Sequence, residues 1–137
     1  DGGTLEQRAL YLTQAGNAWL VAGAAEAAIV TLTNALKIIP DDPNLLVDRA
    51  TAHIMLEQWP EAISDLDAAL QSSPGFGTAH HLRAEARLNK GDLDLALADV
   101  KAAMAAEPDN IDTLVLRGRV REAIRLSEVR IVPPQAE

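Results

Sequence analysis

Residues 59–74 read WPEAISDLDAALQSSP, and residues 93–108, 34 positions further on, read LDLALADVKAAMAAEP. Ala62, Ala69 and Pro74 of the first stretch fall on Ala96, Ala103 and Pro108 of the second, and the same shift backwards reaches Ala28, Ala35 and Pro40. Two further registers share the period: Gly16, Ala50, Ala84 and Gly118, and Arg49, Arg83 and Arg117. Single coincidences are common in an alanine-rich chain, but five registers on one period mark an internal repeat.

Each register has a physical reading. Proline cannot sit in a helix interior, so Pro40, Pro74 and Pro108 each close a unit and redirect the chain. The small residues let two helix axes approach, where a larger side chain would force them apart. Between them, apolar residues follow helical spacing, as in Ile29, Leu32 and Leu36, in Ile63, Leu66 and Leu70, and in Leu93, Leu97, Val100 and Met104. Breakers halve each unit at Gly23, at Trp59-Pro60 and at Gly91-Asp92. The spacing predicts seven helices, over about 5–22, 25–38, 43–56, 60–72, 77–90, 93–106 and 111–128, and no strand. Thr4 with Gln7 forms a capping-box pattern for the first helix, Pro60 and Asp92 suit helix starts, and Asn110 suits the cap of the last.

Composition agrees. Hydrophobic residues make up 48%, mostly alanine and leucine, and aromatics only 3%, so strand formers are scarce. The net charge of −8, from 12 basic and 20 acidic side chains, would repel a phosphate backbone and argues against nucleic acid. With no cysteine, disulfides, thiolate metal sites and cysteine nucleophiles are excluded, and cytoplasm and bacterial periplasm fit equally. No apolar run approaches the roughly 20 residues that insert across a bilayer. The chain opens on Asp1 with no signal-like segment before it, as a mature or trimmed product would.

The repeat resembles the tetratricopeptide family, whose 34-residue units are antiparallel helix pairs with a small residue in the first helix, two alanines in the second and a closing proline. The resemblance runs from about Ala9 to Asn110, and half a unit follows. It implies an all-α tetratricopeptide helix-turn-helix solenoid of three full repeats, at about 9–42, 43–76 and 77–110. A C-terminal closing helix over 111–128 and an extended or disordered tail over 129–137 follow. The family's first-helix apolar slot holds Leu12, Leu46, His80 and Leu114, and its later tyrosine-like slot holds Trp19, His53, Arg87 and Arg121. Polar residues there suggest a looser, wetter seam in the third unit. Trp19 and Trp59 are expected in the core.

Catalytic and metal-binding readings are weak. His80 and His81 are adjacent, about 100° apart on a helix, whereas two ligands on one face need a spacing of three or four. Asp65-Leu66-Asp67 and Asp92-Leu93-Asp94 alternate like part of a calcium loop but lack its glycine and closing glutamate. The serines lie in no nucleophile-elbow context, and Pro74-Gly75-Phe76-Gly77 lacks the Lys-Ser/Thr of a phosphate loop. No catalytic, cofactor or metal residues are therefore assigned, and a metal-dependent enzyme through His80 or His81 is a remote alternative.

In stacked helix pairs the first helix of each pair lines the inner face. The resemblance places Thr13, Gln14, Asn17 and Val21 there from the first unit, and Val47, Asp48, Thr51 and Met55 from the second. His81, Leu82, Glu85 and Asn89 follow from the third, and Val115, Leu116 and Arg119 from the last helix. Such a mixture suits a protein or peptide ligand, and an adaptor or scaffold is the expected function, with self-assembly the alternative. One subfamily grips the carboxylate of chaperone tails with Lys, Asn, Asn, Lys and Arg. Position by position only Asn17 survives, because Thr13, Asp48, Thr78 and Leu82 stand at the other four. A carboxylate needs positive charge to offset its desolvation, so the resemblance does not extend to chaperone tails. The apolar segment Val129 to Pro134 is expected to dock on a protein surface, its own last helix or that of a second copy, which would make a homodimer.

Overall fold

A computed structural model describes residues 3–131, with side chains to residue 129. The helices are α1 (Leu5–Val21), α2 (Ala25–Ile38), α3 (Pro43–Met55), α4 (Trp59–Ser72), α5 (Gly77–Lys90), α6 (Leu93–Ala106) and α7 (Ile111–Ile131). Among the described residues there is no strand. Six of the seven match the spacing-derived ranges to within a residue at each end. The exception, α7, runs through Ile131, so the segment expected to be an extended tail is helical at its start. Val129 is exposed there, and residues 132–137, which hold the rest of the segment expected to dock, lie outside the described residues.

Local chemistry sets the helix ends. Thr4 and Gln7 form the expected box, each side chain accepting from the other residue's backbone N–H. Asp42 accepts from the N–H groups of Asn44 and Leu45, with Pro43 in the first turn of α3. Asn110 Oδ1 accepts from Thr113 N–H at 3.1 Å. Asp92 occupies the N-cap of α6 but makes no capping bond, and instead pairs with Lys90. The mid-unit turns need a left-handed residue. Gly23 (φ 78°) and Gly91 (φ 95°) supply it in two units, and Glu57 (φ 56°) takes the same register in the second despite its Cβ.

Within each pair the helices meet through the small residues. Ala28, Ala62 and Ala96, Ala35 and Ala69, and Ala50 and Ala84 are fully buried. Leu46 packs with Ala62, Leu66 and Ala69 of its own pair, whereas Leu45 packs backwards onto Ala25, Ala28 and Leu32 of the preceding pair. One apolar seam therefore continues from pair to pair. First helices touch across repeats (α1 with α3, α3 with α5, α5 with α7), while among the described residues no second helix touches another. The stack is narrower on the first-helix side, which makes that side concave.

Gly16 and Gly118 share a register but not surroundings. A Cβ on Gly16 would lie 2.4 Å from Cδ2 of the fully buried Leu32, whereas a Cβ on Gly118 would meet nothing within 4 Å. Gly118→Ala should stabilise the fold by about 0.5–1 kcal/mol through helix propensity. Gly16→Ala should lower stability, because overpacking of about 1–3 kcal/mol outweighs that gain. Urea midpoints shifted in opposite directions are the expected result, and equal shifts would contradict the packing described.

Candidate peptide-binding face

The concave side carries the first-helix residues, and their exposure divides them into floor and contact groups. Val47 (6% exposed) and Leu116 (2%) are buried in the seam, so they shape the floor and present no open surface. Leu82 packs partly against the core between the second and third pairs. Gln14, Asn17, Met55, Asn89, Val115 and Arg119 stand exposed, and Val21 is 91% exposed at the end of α1. Thr13 and Thr51 turn their hydroxyls onto the carbonyls of Ala9 and Val47 one turn earlier, so both donors are already used. Asn89 donates to Glu85 O in the same manner.

Several polar residues come together in the C-terminal half of the face. His81 Nδ1 lies 3.0 Å from Thr113 Oγ1, tying α5 to α7. His81, Glu85, Asp112, Val115, Leu116 and Arg119 line a cleft of about 330 Å³. A second, of about 180 Å³, lies beside it between Thr78, His81, Glu107 and Asp112. Asp48, Glu85 and Asp112 have no ion-pair partner among the described residues. Burial, and next the charge of Asp42, push the Asp48 carboxyl above its ordinary value of 3.8. A larger cleft, about 650 Å³, lies away from this face between the start of α1 and the end of α2. Its Tyr11 and Leu12 share registers with Leu45 and Leu46, which neighbouring helices bury elsewhere.

Behind the face runs an ion-pair ladder absent from the sequence reading. Arg49 grips Asp65 through Nε (2.9 Å) and Nη2 (2.7 Å), and its Nη1 donates to Thr33 of the preceding pair. Arg83 repeats this 34 residues later, gripping Asp99 through Nε (3.0 Å) and Nη2 (2.7 Å) and donating to Asp67 through Nη1. The partners sit 16 residues on either side of each arginine, so the signal was present as a spacing. Hydrogen bonding to Asp65 and Asp99 raises the pKa of Arg49 and Arg83 despite partial burial. In the third pair, Arg87 Nη1 (2.6 Å) and His80 Nδ1 (3.3 Å) join the same Asp99 carboxylate.

This corrects the expectation of a loose, wet third seam. The polar residues converge on one buried carboxylate, and no buried side-chain polar atom among the described residues lacks a partner. His53 and His80 are seam residues: His53 faces Gln58 and Asp65, and His80 faces Asp99 and the Pro74 carbonyl. No group of three or more His, Cys, Asp or Glu among the described residues is placed to hold a metal. Trp59 packs against the core as expected, but Trp19 is 44% exposed and lies outside the core clusters.

Helix pairs stacked with one helix of each on a concave face form a helical-repeat solenoid, a class that presents an extended interaction surface. The Tetratricopeptide repeat family model matches residues 20–86, and the chain belongs to that family of protein-interaction modules. RNA polymerase II-associated protein 3 of Mus musculus is 29% identical over 122 residues, 89% of this chain and 18% of that protein. U-box domain-containing protein 70 of Oryza sativa subsp. japonica is 31% identical over 87 residues, 64% of this chain and 11% of that one. The chain thus spans less than a fifth of these curated relatives. Among solved structures, the first tetratricopeptide domain of Spaghetti (RPAP3) bound to the HSP90 peptide SRMEEVD superposes with a TM-score of 0.83. It is 27% identical, over 87% of this chain and 94% of that one. The first such domain of human RPAP3 gives 0.84 at 26% identity, over 88% and 95%. No helix among the described residues is long and apolar enough to cross a membrane.

Proposed function

We propose that this chain is a non-enzymatic adaptor that takes a polypeptide on its concave face, and that the ligand carries positive charge. One observation carries the second part: Asp48, Glu85 and Asp112 lie along that face without ion-pair partners among the described residues, and the cleft that holds Glu85 and Asp112 is lined by one cation, Arg119. Met55 and Val115 offer exposed apolar contacts between them. A Lys or Arg side chain would relieve the uncompensated carboxylates, whereas an acidic tail such as the one bound by the Spaghetti domain would meet repulsion. Family likeness supports peptide binding, and the charge of this face supports a different ligand sign.

Fluorescence anisotropy with two labelled peptides tests this, one apolar and bearing two lysines, the other SRMEEVD. The basic peptide should bind more tightly, and Asp48→Asn with Glu85→Gln should weaken it about tenfold, roughly 1.4 kcal/mol. Tighter binding of SRMEEVD would overturn the reading. Asp48 has a second signature. Its raised pKa means that the folded state holds the proton more tightly than the unfolded chain, so ionisation costs stability as pH climbs above 3.8. Asp48→Asn should leave stability unchanged well below that pH. Above the elevated titration it should raise stability by at most about 1 kcal/mol, since the site is partly solvated.

A further inference from the structure

The face of α5 that receives α6 recurs on α7, where none of the described residues is laid across it. Adding 34 to His80, Arg83, Ala84 and Arg87 gives Leu114, Arg117, Gly118 and Arg121. On α5, Ala84 is fully buried and both arginines close on Asp99 of α6. On α7, Gly118 faces open space and Leu114 is exposed. Neither Arg117 nor Arg121 has an ion-pair partner among the described residues. The other side of α7 is the one that packs, through Leu116, Val120 and Ile124. An acceptor surface for a second helix, with its small residue and both guanidiniums, is thus complete but left open by the described residues.

We propose that this face accepts, from another protein, an acidic helix of the pattern Ala-x-x-Asp-x-x-x-Ala. The pattern is read from what covers the equivalent faces: Ala62, Asp65 and Ala69 on α4, and Ala96, Asp99 and Ala103 on α6. The small residues allow close approach over Gly118, and the aspartate takes both guanidiniums as Asp99 does. The charge distribution favours the same partner. The chain carries −8 overall, yet α7 holds Arg117, Arg119, Arg121, Arg125 and Arg130 against Asp112, Glu122 and Glu128. A second copy is a poor occupant, because its own two helices of this pattern bury Asp65 and Asp99 inside the fold.

The probe is a labelled synthetic peptide with the sequence of residues 91–107, titrated with the whole chain. Saturable binding is expected. Gly118→Leu, and separately Arg117→Glu with Arg121→Glu, should weaken it at least about tenfold, with melting curves confirming that each variant is folded. Asp99→Arg in the peptide should lose binding to the parent and regain it with the double glutamate variant. No saturation, or undiminished binding to Gly118→Leu, would overturn the proposal. So would a concentration-dependent dimer of the chain that Gly118→Leu abolishes, since the occupant would then be a second copy.

Discussion

Asp99→Ala is expected to lower the unfolding free energy by about 3–5 kcal/mol, the range for removing one partner of a buried charge network. Asp99 is 2% exposed, and Arg83, Arg87 and His80 all converge on it. Without the carboxylate, two partly desolvated guanidiniums remain against each other, Arg87 with no counter-charge among the described residues and Arg83 with only the exposed Asp67. A domain of this kind has a total stability of about 5–15 kcal/mol, so the alanine variant is near the limit of folding. Asp99→Asn gives a graded measurement, since it keeps one acceptor oxygen while losing the charge and turning the other oxygen into an NH2 donor. Urea denaturation should rank parent, Asn and Ala in falling order. Asp65→Ala should fall less than Asp99→Ala, because only Arg49 makes a close ion pair there and His53 stands 3.8 Å away. Equal midpoints for Asp99→Ala and the parent would mean that the network adds nothing to stability.

Ala62→Leu and Ala96→Leu should each cost about 1–3 kcal/mol through overpacking. Both alanines are fully buried where the two helices of a pair meet, at the point that sets their separation. Three added carbons must push the axes apart or force neighbouring leucines off their rotamers. Because the seam is continuous, a wider second pair should also loosen the third. Thermal melts of the two single variants and the double variant test this, and a double-variant loss differing from the sum of the singles would reveal coupling through α5. Melts indistinguishable from the parent would place these residues away from the seam.

The comparison domains show why fold and ligand need separate arguments. The Spaghetti domain bound to SRMEEVD shares this backbone over most of its length. Yet Thr13, Asp48, Thr78 and Leu82 stand in this chain where a carboxylate clamp would need Lys, Asn, Lys and Arg. A solenoid is specified by small residues and apolar spacing in the seams, and those positions are silent about the charge on the inner face.

The sequence by itself determined the repeat, the boundaries of the first six helices and the close-packed positions other than Gly118. These depend on local rules: a proline ends a helix, and small residues recurring every 34 positions must meet something close by. It also placed the first helices on the inner face, and the structure agrees through their mutual contacts. Only the tertiary structure decided which of those inner residues are open. Val47 and Leu116 read as groove contacts but are buried, because neighbouring positions on a helix point about 100° apart, so one can face the groove while the next faces an adjoining helix. It alone showed that polar residues in the third seam form a buried network, since Arg83, Arg87 and His80 are brought to Asp99 by helix pairing. Glu57 followed the same logic: its left-handed backbone is dictated by the turn geometry that Gly23 and Gly91 share, and a glutamate carries no local sign of it. Helical periodicity reports which side of a helix is covered. What a charged group on that side meets depends on a residue 16 positions away on another helix, and only packing brings the two together.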